Sequence, residues 1–360
     1  MPPKPLPGIL DIEPYKGGES VLPGFSGKPI KLASNENPLG ASKAALKAFT
    51  DAAATSHLYP DGSAAALRRA IADRYGLDPE RIVCGAGSDE IFQLLGRAYL
   101  APGDEIVQSQ YAFLVYRLVA QAAGASVKSA PDRDLTVDVD AMLAAVTPKT
   151  KIVFLANPNN PTGTYLPFEE VRRLHAGLPE NVLLVLDAAY AEYVRRNDYE
   201  AGVALVSEFD NVLMTRTFSK IHGLAALRLG WAYGPAHVID VLNRVRGPFN
   251  VSTAAQKAGI AAIEDGAFVD AALEHNAREL DRVAGALQAL GYKVTPSVGN
   301  FLLAHFAPGQ AQAADAFLRS RGLIVRMVAG YGLPNALRIT IGATAENDAF
   351  LAAISDFAKS

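Results

Sequence analysis

The sequence predicts an α/β protein: a large unit on a mainly parallel sheet flanked by helices, plus a smaller α+β unit. Three observations predict it. Short apolar runs alternate with helical stretches along most of the chain, and that alternation requires a parallel sheet covered on both faces. The pattern changes near residue 250. The length, 360 residues, is more than one ordinary core organises, which favours two units.

Residues 1–40 are rich in proline and glycine and read as an arm that packs with the smaller unit. Residues 41–255 form the expected large unit and residues 256–360 the small one. The large unit opens with two alanine-rich helices, SKAALKAFTDAAA and SAAALRRAIADRYG, the second capped near Asp61-Gly62-Ser63. RIVCGAG, DEIVQS, KIVFLAN, NVLLVLD and NVLMTRTFS then read as buried strands. Helices between them include DEIFQLLGRAYL, VYRLVAQAAG and PFEEVRRLHAGL. A long helical region from about Thr253 to Leu290 starts the change of pattern. It leads into YKVTPSVGNFLLAHF, a helix AQAADAFLRSRG, a strand LIVRMV and a strand LRITIG.

Bulk properties exclude several classes. The net charge of -3 gives no electrostatic reason to bind nucleic acid or an anionic membrane. One cysteine, Cys84, excludes an internal disulfide and a cysteine-based metal cluster. The six histidines, His57, His222 and His275 among them, lack metal-ligand spacing, so no metal is expected. The N-terminal segment has no apolar signal core, and no stretch of about 18 residues is apolar enough to span a bilayer. The expectation is a cytoplasmic protein.

Ligands of open α/β sheets bind beyond the carboxyl ends of the strands. Asn157 ends KIVFLAN, Asp187 ends NVLLVLD, and Ser219-Lys220 follow NVLMTRTF. The turn Gly85-Ala86-Gly87-Ser88-Asp89 puts open backbone at a helix N-terminus, which suits a phosphate. By itself the turn reads as an ordinary strand-to-helix connection. Lys220 stands among apolar neighbours, where poor solvation favours the neutral amine that attacks an aldehyde. Thr217, Ser219 and Arg228 supply two hydroxyls and a cation close by. A buried Asp187 needs a partner, and a pyridinium N–H would serve. Asn157 and Tyr190 suit a phenolate oxygen on the far side of such a ring.

These residues resemble the fold-type I pyridoxal 5′-phosphate (PLP) aminotransferases, and within them the histidinol-phosphate aminotransferase group. The resemblance rests on SNENPLG at 34–40, HLYPDG at 57–62, GAGSDE at 85–90, NPNNPTG at 157–163, DAAYAEY at 187–193, TFSKIHGLAALRLGW at 217–231, RGPFNVS at 246–252 and LRITIG at 337–342. It implies a PLP cofactor held by Lys220 as a Schiff base, with Lys220 then shuttling the proton. It implies that Asp187 pairs with the ring nitrogen, that Asn157 and Tyr190 contact the phenolic oxygen, and that Tyr111 stacks on the ring. The backbone of Ser88 and Asp89, with Thr217, Ser219 and Arg228, would hold the phosphate. Tyr59 would reach the cofactor of a neighbouring subunit in a homodimer with shared sites. Arg338, Arg326, Tyr15 and Asn37 are the expected substrate contacts.

The implied reaction is ping-pong transfer from histidinol phosphate, a small-molecule amino donor, to 2-oxoglutarate, a 2-oxo acid acceptor. An aromatic amino-acid aminotransferase and a threonine-phosphate decarboxylase-like lyase share most of the motifs. Ala188, Ser109-Gln110 and Ala226 depart from the common pattern, and none of them removes a catalytic group.

Overall fold

The computed structural model describes residues 3–6, 8–14 and 17–359. Seven strands make the large sheet: β1 (Ile82–Gly85), β2 (Glu105–Ser109), β3 (Ser126–Ala130), β4 (Thr150–Ala156), β5 (Leu183–Asp187), β6 (Val212–Thr217) and β7 (Gly230–Tyr233). Their order is β1-β7-β6-β5-β4-β2-β3. Only β7 runs against its neighbours; the other pairings are parallel.

Alternate residues of the central strands feed two different cores. Leu184 and Leu186 of β5 join one cluster with Val153, Leu155, Val212 and Met214. Leu183 and Val185 join the other with Ile152, Phe154 and Leu213. A strand with both faces buried needs an unbroken apolar run, and this is why these segments were legible. Burying each such side chain contributes about 1.5–3 kcal/mol. The edge strand β3 is largely exposed and reads SVKSA, so its sequence carried no such signal.

The small sheet is antiparallel and contains β8 (Lys293–Thr295), β9 (Phe301–His305), β10 (Arg326–Met327) and β11 (Ala336–Thr340), in the order β10-β11-β9-β8. LIVRMV is not one strand. Leu323–Ile324 pairs in parallel with Ile30–Lys31 of the arm, whereas Arg326–Met327 pairs with β11. The arm thereby joins the small unit, and Leu32 enters its core.

The expected long helix is two. Thr253–Glu264 ends at Asp265, whose carboxylate accepts from Phe268 N and caps Gly266–Ala289. Ala258, Ala262 and Ile263 belong to a core of the large sheet. They therefore lie across the boundary expected at 255/256.

Candidate active site

The parallel strands β4, β5 and β6 end on one side of the sheet, and a cavity of about 240 Å³ lies beyond their carboxyl ends. Asp187 is the last residue of β5 and Thr217 the last of β6. Both line the cavity, together with Lys220 from the turn that follows β6.

One end of the cavity is built for an anion. The helix Ser88–Tyr99 starts there, and Gly87 at its N-cap (φ 83°) has no side chain to occupy the first amides. Ser88, Thr217 and Ser219 add hydroxyls to the same wall. Arg228 donates to Ser219 Oγ at 3.3 Å and pairs with Asp89 at 3.3 Å. This pairing offsets the carboxylate of Asp89 at the anion end. Arg228 itself has φ 50°, in the left-handed region. Gly230 is required just beyond it, because a Cβ there would stand 2.4 Å from Ser88 N.

The cavity also holds a buried acid and a partly buried amine. Asp187 is 6% exposed. Its Oδ2 accepts from Tyr116 Oη at 2.5 Å, and its Oδ1 from Thr215 Oγ1 at 3.4 Å. Burial pushes its pKa up to about 6, against the lowering effect of the Tyr116 hydroxyl. Lys220 Nζ donates to Ser34 O at 3.1 Å and lies 5.7 Å from the centre of the Tyr190 ring. Burial, then the Arg338 cation, lower the Lys220 pKa to about 8. Tyr190 also lines the cavity, and its hydroxyl accepts from Asn35 Nδ2 at 2.9 Å.

A buried ion pair ties β6 to the turn that follows β5. Arg216 of β6 meets Glu192, which follows β5, at 2.7 Å, both about nine-tenths buried. The guanidinium also lies over Tyr75 and Trp231.

Two expectations are corrected. Asn157 does not face the cavity: its amide is committed to Leu166, donating to O at 3.0 Å and accepting from N at 2.8 Å. Asn160, three residues on, lines the cavity and accepts from Arg338 Nη1. Tyr111 is likewise absent from the wall; its carbonyl accepts from Asn159 Nδ2. Phe113 stands in the wall instead. The signal for it was an aromatic two residues further along the same turn.

Arg338 on β11 also donates to Ala33 O at 2.7 Å. Arg326 donates to Gly17 O at 2.8 Å and lines a neighbouring pocket with Glu13 and Arg117. Asn37 is engaged with the loop after Lys220, donating to Ile221 O at 2.7 Å, and does not line the cavity. Tyr59 is 82% exposed and stacks on Phe249, outside the cavity of its own chain. Tyr15 lies outside the described residues. Among the described residues no cluster of His, Cys, Asp or Glu could hold a metal ion, and no helix is long and apolar enough to cross a membrane.

The chain is similar to known proteins in sequence and fold. The family described as "Aminotransferase class I and II" matches residues 27–354. A histidinol-phosphate aminotransferase of Maricaulis maris (strain MCS10) is 60% identical over 359 residues, 99% of each chain. The crystal structure of histidinol-phosphate aminotransferase from Sinorhizobium meliloti in complex with pyridoxal-5′-phosphate matches with a TM-score of 0.91 at 28% identity, covering 98% of this chain and 97% of that one. Aspartate aminotransferase from Thermus thermophilus with maleate shares the fold, with a TM-score of 0.82 at 24% identity over 92% of this chain and 91% of that one. A family match across nearly the whole chain, on a fold whose strand ends converge on one lysine and one aspartate, means that this chain belongs to the class I and II aminotransferases.

Proposed function

We propose that this protein binds PLP and exchanges the amino group of histidinol phosphate with 2-oxoglutarate, giving imidazole-acetol phosphate and glutamate. The observation that carries the substrate is the 60% identity, along the full chain, to a protein named for that reaction. The cavity fits the cofactor: an amine for its aldehyde, a carboxylate for its ring nitrogen, and hydroxyls, an arginine and a helix N-terminus for its phosphate.

PLP, when bound, supplies an aldehyde and a protonated ring that accepts the electrons released at the amino-bearing carbon. The residues do the rest. Asp187 keeps the ring nitrogen protonated. Ser88, Thr217, Ser219 and Arg228 hold the phosphate. Phe113 would pack against the ring, and Tyr190 and Asn160 would serve its phenolic oxygen. Arg338 orients the α-carboxylate of glutamate or 2-oxoglutarate. Lys220 Nζ takes the proton from the amino-bearing carbon, and its lowered pKa leaves part of it neutral near pH 7. Arg326 serves the substrate's far end. In the same reading the enzyme is a cytoplasmic homodimer in which Tyr59 completes the partner's site.

The test is a single turnover of PLP-loaded protein, without oxo acid, against histidinol phosphate, phenylalanine, glutamate and threonine phosphate. Rapid conversion by histidinol phosphate supports the reading. Equal speed with phenylalanine makes it an enzyme of broader aromatic scope. Carbon dioxide release from threonine phosphate overturns it in favour of a decarboxylase.

A further inference from the structure

Tyr116 is fully buried and does not line the cavity, yet its hydroxyl donates to Asp187 Oδ2 at 2.5 Å. Its ring is fixed on three sides. It stacks on Phe154 with centroids 4.5 Å apart and planes 5° apart. It meets Phe92 edge-on at 5.2 Å and Phe113 edge-on at 5.7 Å. A tyrosine in so apolar a cluster needs a partner for its O–H. Phenylalanine would fill the same space, so packing alone does not call for the hydroxyl.

Asp187 has little else to hold it. Thr215 Oγ1 stands at a long 3.4 Å, and the other donor is the backbone of Ala189. An ionised carboxylate has about four acceptor positions, so it can receive a ligand N–H while keeping these donors. A carboxylate turns about its last torsion through a broad, shallow well. A short bond from an immobile phenol removes that freedom.

We infer that Tyr116 is a positioning residue: it fixes the rotation of the Asp187 carboxylate so that the carboxylate meets the cofactor's ring nitrogen. The inference rests on the PLP reading of the cavity. It also joins two walls of the site, because the aromatic cluster that holds Tyr116 includes Phe113, which lines the cavity. Without that bond the carboxylate is free to turn about its last torsion, and its contact with the ring nitrogen is no longer held in line.

The experiment is a double-mutant cycle read as the Kd of PLP for the full-length protein freed of cofactor. Tyr116→Phe is expected to weaken PLP binding about tenfold or more. In an Asp187→Ala background, where the acceptor is gone, the same change is expected to add less than about twofold. An equal loss in both backgrounds makes Tyr116 a packing residue and overturns the inference. Equal affinity of wild type and Tyr116→Phe overturns it alone. Wild-type protein that takes up no PLP overturns the reading of the cavity and this inference with it.

Discussion

Arg338 of the small sheet donates to Asn160 Oδ1 in the loop that follows β4 of the large sheet. With its second bond to Ala33 O, Arg338 ties three segments together at the edge of the cavity. A guanidinium makes such contacts as a planar fork, and lysine does not reproduce them. Arg338→Lys is therefore expected to raise KM for glutamate and 2-oxoglutarate by tenfold or more, with a smaller change in kcat. Steady-state kinetics with both substrates check this.

Asn157 and Asn160 separate cleanly. Asn157→Ala leaves Leu166 N and O without their buried partners. It is expected to cost about 2–3 kcal/mol of stability and to leave PLP affinity nearly unchanged. Asn160→Ala is expected to spare stability and lower kcat/KM by tenfold or more. Thermal melts and kinetics on the two variants check this together.

In the proposed reaction Lys220 and Asp187 carry the chemistry. Lys220→Ala should abolish turnover in a folded protein, and Asp187→Ala should lose most activity. The neutral amine is the reactive form, so the rate of PLP uptake should climb as pH rises through about 8, the lowered value for Lys220. Removing the Arg338 cation with Arg338→Gln lets the ammonium persist to higher pH, so the midpoint should move up. Stopped-flow uptake against pH measures both curves.

Glu192 and Arg216 form a buried pair at 2.7 Å. Removing one partner strands the other charge. Glu192→Ala is expected to destabilise the protein by about 3–5 kcal/mol, measured by urea unfolding.

Leu39, Leu46, Phe49, Leu58 and Phe249 are exposed like Tyr59, and Phe249 stacks on the Tyr59 ring. In the proposed homodimer these side chains would be covered on association. If Tyr59 completes the partner's site, inactive Tyr59→Ala and inactive Lys220→Ala proteins should regain part of the activity when mixed and allowed to exchange subunits. Sedimentation of each protein alone should give a dimer.

The central strands and the residues at their ends were readable from sequence because a doubly buried strand is an unbroken apolar run. That pattern located Asp187 at the end of β5, and the motif after β6 located Lys220. Ser88, Asp89, Tyr190, Thr217, Ser219 and Arg228 line the same cavity. The turns behaved differently. In NPNNPTG and SQYAF no periodicity says which side chain faces inward, so Asn160 and Phe113, rather than Asn157 and Tyr111, were settled only by packing against Arg338 and Tyr116. The division of LIVRMV between two sheets and the bond from Tyr116 to Asp187 have the same origin. Each depends on a partner far away in the chain, and local sequence specifies direction only where the backbone repeats.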